Sequence, residues 1–474
     1  MKRGDVVDVT IENAAFEGKS VARIDGFVLF VQGAVPGDRA RVTVTRTKKS
    51  FAEAELSTVL EPSPLRVPPR CRHFGPCGGC KWQHVAYEAQ CAFKRQHVID
   101  ALERIGGFQG IAVAATLGAA SPYYYRNKME FSFGQRWRTR EEMAARADEA
   151  GAPAENLFAL GLHIAGRYDR IIDLDECWLQ SPVSVRIVNA VRAYSLAHDI
   201  PVYSTESHTG YLRNLVVREG RRTGDRMVNV VTRDDREDIM TPLTAYLRAA
   251  VPEITTVVNN ITQKVSQVAL GEFERVYAGS GTIREMIGAR TYRISANSFF
   301  QTNTEQAERL YDAVAGMAEI RKGDVVYDLY SGTGTIALHV ADAAKEVIGI
   351  ESVGSAVEDA HRNAAANAVD NCRFLLGDLK ETLLGSRSRG MDLPRPDVVI
   401  LDPPRAGVHE KVVREIRALA PRAIVYVSCN PATQARDLKI LCEDGFYHPD
   451  RVQPVDMFPH TYHVENIVRL AQTD

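Results

Sequence analysis

The chain lacks an apolar run long enough to span a bilayer, and it lacks an excess of charge of either sign. Its 58 basic and 60 acidic side chains leave a formal charge of −2 over 474 residues, so the molecule as a whole offers no general attraction to nucleic acid. The opening Met1-Lys2-Arg3-Gly4-Asp5 leads into alternating polar and apolar positions, without the apolar stretch of about 7–15 residues that marks a signal peptide. These absences predict a cytoplasmic protein with no membrane contact. Cysteine is sparse: eight residues spread from Cys71 to Cys442 make no disulfide scaffold and point to metal or catalytic use for some of them. Repeats and low-complexity tracts are also missing. What is present, 45% apolar and 25% charged residues, is the make-up of an ordinary soluble protein. The length exceeds what one core serves, so two or three domains are expected.

Residues from about 5 to 60 alternate in the strand period, with Gly18, Gly26, Gly33 and Pro36-Gly37 as turns, and read as a small all-β barrel. Glu61-Pro62-Ser63-Pro64 and Pro68-Pro69 form a linker, since consecutive prolines continue neither helix nor central strand. A helix follows from roughly His84 to Ile105, closed by Gly106-Gly107. From about 120 to 290 short strand-like runs predict a β-rich unit, interrupted by an Ala, Arg and Glu-rich insert from Arg136 to Asn156. From Gly323 onward strands alternate with helices, the order of a doubly wound α/β sheet. Its candidate strands are Val325 to Tyr330, Glu346 to Ile350, Arg373 to Leu376, Val398 to Leu401 and Ile424 to Val427, with a final pair around Arg451 to Asp456 and Asn466 to Leu470.

Two buried strands of that sheet each end in a reactive group. Val398-Val399-Ile400-Leu401 runs into Asp402-Pro403-Pro404-Arg405, and Ala423-Ile424-Val425-Tyr426-Val427 into Ser428-Cys429-Asn430-Pro431. At the carboxyl ends of neighbouring parallel strands, a carboxylate and a thiol face one crevice. Asp328-Leu329-Tyr330-Ser331-Gly332-Thr333-Gly334-Thr335 supplies a glycine turn after the first strand, and Glu351 ends the second as a ribose-binding acid. NAD enzymes and S-adenosylmethionine (SAM) methyltransferases share that pattern. Asp328, Asp378 after the third strand and Asp-Pro-Pro after the fourth tilt the choice toward SAM. A Cys429 thiolate adding to C6 of uracil would make C5 a carbon nucleophile able to accept a methyl group, after which a base must remove the C5 proton. His460, His463 and Glu465 are the candidates for that base.

Cys71-x5-Cys77-x2-Cys80, with Gly75, Gly78 and Gly79 between its thiols, is a metal-ligand cluster needing a fourth ligand, for which Cys91 and Cys177 are the candidates. Zinc and a [4Fe-4S] cluster both suit four thiolates. Around it, Arg66, Arg70, Arg72, Lys81, Lys94 and Arg95 interleave with Phe74, Trp82, Tyr87 and Phe93. Cations for phosphates and rings for bases are what single-stranded RNA needs, though a solvated face beside a small core has the same composition.

These motifs, in this order, resemble the RumA-like class of RNA uracil-C5 methyltransferases, SAM-dependent enzymes of 23S ribosomal RNA. The resemblance spans nearly the whole chain and includes Phe299-Phe300-Gln301-x-Asn303 and His463-Val464-Glu465. It implies a TRAM-like, RNA-binding barrel over 1–62, a central domain over 63–290 whose helix near 84–107 docks on the catalytic domain, and a class I SAM-methyltransferase domain over 291–474. It implies that Cys71, Cys77, Cys80 and Cys177 hold a [4Fe-4S] cluster and that Gln301, Tyr330, Glu351, Asp378 and Asp402 line the SAM pocket. Thr335 stands where some relatives carry an Asn beside the cofactor. Cys429 becomes the nucleophile and Glu465 the base, with Asp402 positioning uracil or cofactor. The barrel and cluster set the chain apart from a tRNA-specific branch lacking both, so 23S ribosomal RNA is the expected partner of a monomeric enzyme. Two readings compete. Asp-Pro-Pro also resembles the signature of adenine N-methyltransferases, with Arg405 replacing their aromatic ring, and a non-catalytic RNA-binding or iron-sulfur carrier protein would retain the sheet.

Overall fold

The computed structural model describes residues 1–138, 142, 157–167, 169–265, 269, 271–383 and 393–473. Most of the insert expected from Arg136 to Asn156 therefore lies outside the described residues. The first strands are β1 (Val6–Thr10), β2 (Asn13–Ala14), β3 (Ser20–Ile24), β4 (Phe27–Gln32), β5 (Arg39–Thr47) and β6 (Phe51–Glu61), in the order β1-β5-β6-β4-β3-β2. Alternation sends Ala40, Val42 and Val44 inward with Leu29, Val31 and Ala54, while outward charges cancel in the pairs Arg41–Asp8, Arg39–Glu61 and Lys19–Glu53. Asp38, fully buried, accepts from the Val35 and Ser63 amides and from Arg66, so the linker is stapled to the barrel.

Beyond the linker, α1 (Tyr87–Ala101) starts later than the expected His84 and gives way to a π turn over Leu102–Gly106 before Gly107, at φ 81. A wider turn relieves the last residues while Val98, Ala101 and Leu102 stay in one core. The central sheet contains β7 (Lys128–Gln135), β8 (Phe158–His163), β9 (Ile171–Asp173), β10 (Leu212–Glu219), β11 (Arg226–Thr232), β12 (Thr256–Ile261) and β13 (Phe273–Ala278), in the order β13-β12-β11-β10-β7-β8-β9. Among the described residues, β11 and β12 are the strands that pair in parallel there. Helices α2 (Pro182–Ala197) and α3 (Glu237–Ala250) bury their apolar faces on it.

The hairpin β14 (Thr282–Ile287) and β15 (Arg290–Ser295) and helix α4 (Thr304–Ala318) share a core with the last sheet. That sheet has β16 (Val325–Leu329), β17 (Glu346–Glu351), β18 (Cys372–Leu376), β19 (Val398–Leu401), β20 (Ala423–Ser428), β21 (Tyr447–Val455) and β22 (Glu465–Gln472). Its order is β18-β17-β16-β19-β20-β22-β21, parallel except for β22, which runs against both β20 and β21. Helices α5 (Thr335–Val340), α6 (Gly354–Ala366), α7 (Glu410–Leu419) and α8 (Pro431–Leu441) flank it. Strands β16, β19 and β20 are buried throughout, as a sheet covered on both faces requires. Strand order reverses between β16 and β19, opening a crevice at their carboxyl ends.

Helix α1 belongs physically to this last sheet. Val98, Ala101 and Leu102 pack with Ile424, Leu438 and Leu470. The ammonium of Lys94, fully buried, donates to Asp456 Oδ1 at 2.5 Å and to the Phe458 carbonyl at 3.1 Å.

Candidate active site

The crevice begins where β16 ends. Tyr330 adopts φ 64 and its amide donates to the Ile350 carbonyl at 3.0 Å, turning the chain back over β17. Gly332 and Gly334 follow at φ 53 and 78, and a Cβ on Gly334 would lie 2.7 Å from the Phe374 ring. Only glycine fits there. At the end of β17, Glu351 accepts from the amides of Gly332 (3.0 Å), Ser352 (2.8 Å) and Val353 (2.9 Å), so its carboxylate is fixed at the mouth of the glycine turn. A cavity of about 150 Å³ beside it is lined by Tyr330, Ile350, Ser352, Asp378, His409 and Val412. Asp378 accepts from the Lys380 amide at 2.9 Å. Tyr330, Glu351 and Asp378 thus gather around one opening. Gln301 is buried on the loop entering α4, its carbonyl held by Asn127 at 2.9 Å. Thr335 opens α5 with its hydroxyl bonded to that of Tyr311 at 3.0 Å.

Cys429 and Glu465 are brought together by register. β20 and β22 pair antiparallel with Ser428 opposite Asn466, so the next step along each strand sets Cys429 against Glu465. Asp402 joins them from β19, its amide donating to the Leu329 carbonyl at 3.3 Å. The two reactive loops are tied together, because the Arg405 carbonyl accepts from Asn430 Nδ2 (3.2 Å) and Thr433 Oγ1 (3.3 Å). Asn430 in turn caps α8.

The electrostatics follow from packing these acids in a dry crevice. Burial, then Glu465 and Asp402, push the Cys429 thiol up to about 11. Burial, with Asp402 adding, holds the Glu465 carboxyl well above its ordinary value, and burial raises Asp402 to about 7. Asp328, with burial and the Asp402 charge against it, rises to about 8, and its Oδ1 has no hydrogen-bond partner. Arg405 is the cation that pulls the thiol and Glu465 back down. Burial first, and mutual repulsion second, make these groups hold their protons. Of the histidines, His460 is turned into α1, its Nδ1 beside Gln90 at 3.2 Å. Burial and Arg405 lower His463 to about 4.

A second group forms from the cysteine motif. Burial, with the charges of Cys177 and Cys77 adding, pushes Cys71 up to about 11 and Cys80 up to about 12. The Gly79 amide donates to Cys77 Sγ at 3.4 Å and Gln83 Nε2 to Cys80 Sγ at 3.3 Å. Cys91 lies elsewhere, against Gly118 and Tyr87. Among the described residues, no three His, Cys, Asp or Glu side chains close to the spacing that holds a single metal ion.

The basic and aromatic stretch is mostly consumed internally. Arg66 pairs with Asp38, Arg72 with Asp175 and Lys94 with Asp456, while Arg95 donates to the Val113 carbonyl. Trp82 is buried. Sequence reasoning missed two cations. Arg405 stood inside a motif without a role, and Arg126, whose buried Nε has no partner, faces Cys80 and Cys177.

A doubly wound sheet with an antiparallel seventh strand, a glycine turn and an acid closing its second strand defines a class I SAM-dependent methyltransferase. The family model described as tRNA (Uracil-5-)-methyltransferase matches residues 249–473 and the TRAM domain model matches 1–57. The chain is 42% identical over 471 residues to an uncharacterized RNA methyltransferase of Chlorobaculum tepidum, covering 98% of this chain and 96% of that one. It is also 42% identical over 462 residues to one of Bacteroides thetaiotaomicron, covering 96% and 99%. The tRNA (uracil-54, C5)-methyltransferase of Pyrococcus abyssi, solved with S-adenosyl-L-homocysteine, superposes with a TM-score of 0.75 at 30% identity over 98% of this chain and 99% of that one. The chain belongs to the RNA (uracil-5-)-methyltransferase family, which agrees with its RumA-like resemblance.

Proposed function

We propose that the protein transfers a methyl group from SAM to C5 of a uridine in 23S ribosomal RNA, giving 5-methyluridine, through a covalent bond between Cys429 and C6 of the base. The observation that carries the reading is the register of β20 against β22, which opposes Cys429 to Glu465 beside Asp402. Cys429 attacks C6 as a thiolate, a form that Arg405 favours and the neighbouring acids resist. SAM supplies the methyl group that C5 receives. Glu465, protonation-prone by burial, then takes the C5 proton, and the thiolate leaves. Asp402 bonds the uracil edge or the cofactor. Gln301, Tyr330, Thr335, Glu351 and Asp378 complete the cofactor pocket, with Glu351 on the ribose and the Thr335 hydroxyl shared with Tyr311.

Cys71, Cys77, Cys80 and Cys177 hold a [4Fe-4S] cluster in this reading. Three features fit an anionic metal centre: four neighbouring thiols, N–H donors aimed at two of the sulfurs, and a buried Arg126 with no carboxylate partner. When bound, the cluster would cross-link the motif to the central sheet through Cys177. Residues 1–62 act as an RNA-binding barrel, 63–290 as the central domain and 291–474 as the catalytic domain of a cytoplasmic monomer. Among the described residues, no helix is long and apolar enough to cross a membrane.

One observation favours a second substrate. The Pyrococcus abyssi protein is a tRNA (uracil-54, C5)-methyltransferase, and its chain aligns over 99% of its length with this one. A tRNA enzyme of matching length and fold makes tRNA the second substrate to test beside ribosomal RNA. Transcripts of both RNAs, labelled SAM and nucleoside mass spectrometry decide between them. 5-Methyluridine in ribosomal RNA alone is the expected product. With 5-fluorouridine RNA, wild-type protein should form a SAM-dependent covalent complex and Cys429→Ala none. Equal complex formation by both would refute the mechanism, and an iron and sulfide assay on anaerobically prepared protein separates the cluster from zinc.

A further inference from the structure

The segment from Asp456 to Val464, which delivers Glu465 to the crevice, is held by parts of the chain that lie far from it in sequence. Lys94 and the Tyr87 hydroxyl (2.8 Å) share the Asp456 carboxylate, and Gln306 Nε2 donates to the Asp456 carbonyl at 3.0 Å. Asn303 Nδ2 donates to the Met457 carbonyl (3.2 Å) and the Tyr125 hydroxyl to that of Pro459 (3.2 Å). The tightest grip is on His460. Its carbonyl accepts from the amides of Lys81 (2.8 Å) and Trp82 (3.0 Å), directly after Cys80. Its amide donates to Gln90 Oε1 at 2.9 Å, and its ring lies 4.3 Å from that of Tyr123, which the Arg70 guanidinium also overlies. His460 itself sits at φ 65, a conformation a side chain adopts only when its surroundings impose it. Gln90 is fully buried and also donates to the carbonyls of Trp82 (3.0 Å) and Val85 (2.9 Å), so one side chain joins the cysteine loop, α1 and the segment before Glu465.

Cys429 arrives by a different route, on β20, and its loop is tied to Arg405 rather than to this segment. The two groups share the pairing of β20 with β22, but the ties to α1 and the cysteine loop are made on the Glu465 side of that pairing. We infer that Gln90, acting through His460, is a positioning residue for Glu465 and serves the proton-removal half of the reaction without touching thiol addition. This rests on the reaction proposed above. In the methylated adduct C5 bears both a hydrogen and the new methyl group, and C6 is bonded to sulfur. Glu465 accepts the C5 proton, the C–H electron pair becomes the C5=C6 bond, and the C6–S pair leaves with the thiolate. A base displaced by about 1 Å loses on the order of a hundredfold in rate.

Gln90→Leu removes every bond of the hub, and Gln90→Glu keeps the acceptor for the His460 amide but loses the donor. Each is assayed in the full chain with two RNAs. With 5-fluorouridine RNA, which has no C5 proton to lose, covalent capture should proceed at the wild-type rate. With RNA carrying tritium at C5 of uridine, tritium release should slow tenfold or more in Gln90→Leu and less in Gln90→Glu, while covalent complex with ordinary RNA accumulates. Unchanged tritium release in either variant overturns the inference. So does a fall in 5-fluorouridine capture by the same factor, the mark of a merely structural residue. Should Gln90→Leu fail to fold, Gln90→Glu carries the same comparison. Absence of any 5-fluorouridine complex with wild-type protein is a separate result that removes the underlying reaction, and the inference with it.

Discussion

Asp402→Asn should make the free protein more stable at neutral and alkaline pH, although it removes a group from the catalytic crevice. The Asp402 carboxyl is raised by burial from its ordinary 3.8 to about 7. A carboxyl raised on folding contributes stability that is fully present below its unfolded value and is lost as pH climbs through its folded value. The loss runs from about pH 4 to about pH 7 at about 1.4 kcal/mol per pH unit, or about 4 kcal/mol in total. The residue is only half-buried, and screening brings this to about 2–4 kcal/mol. Asparagine keeps the shape and does not ionise, so the variant escapes the loss. Urea unfolding of both proteins, followed by circular dichroism at pH 5, 6, 7 and 8, should show a gap that grows in favour of Asp402→Asn up to about pH 7 and then levels off. A gap constant within about 0.5 kcal/mol across that range, or one that shrinks as pH rises, would refute the reasoning. The same variant should lose methyl transfer, a trade common where a site is built from groups that repel one another.

Lys94→Met leaves the fully buried Asp456 carboxylate without its cation and should cost about 3–5 kcal/mol in urea unfolding, with much of it recovered in Lys94→Met/Asp456→Leu. Glu351→Gln replaces one of two oxygens that accept from three backbone amides by an NH2 group that cannot accept, and should weaken SAM binding tenfold or more by calorimetry. Cys429, with its thiol raised to about 11, should react slowly with iodoacetamide at pH 7 and about tenfold faster per pH unit from 8 to 10, read on its own peptide by mass spectrometry. A rate already on its plateau at pH 7 would mean that the thiolate is stabilised in the free protein.

The strand ends were legible because a sheet covered on both faces writes its strands as uninterrupted apolar runs. Val398 to Leu401 is read from sequence at its observed bounds, and Asp402 and Cys429 follow directly as the residues leaving the sheet. The choice among His460, His463 and Glu465 was not legible, because it depends on the register of β22 against β20, a pairing of segments whose sequences say nothing about each other's alignment. The charge-rich stretch misleads for a related reason. Its composition suits RNA, yet Arg72 and Lys94 spend their charge on Asp175 and Asp456, partners 103 and 362 positions away. Periodicity marks α1 as a helix but cannot name the sheet it covers, so its place in the last core appears only in three dimensions.

That place has a consequence for how the protein is made. Lys94 leaves the ribosome with its neutralising carboxylate still 362 positions away, an interval of about 20–70 s at ordinary synthesis rates of about 5–20 residues per second. Until then Val98 and Leu102 have no sheet to cover, and the nascent helix offers an apolar face beside an unpaired ammonium. The barrel can fold as it emerges, but the last sheet closes only when the final strands return to a helix synthesised long before. A fragment starting at residue 291 would keep Asp456 without Lys94 and an open groove where α1 belongs, and it should be insoluble unless a peptide spanning 84–107 is supplied in trans.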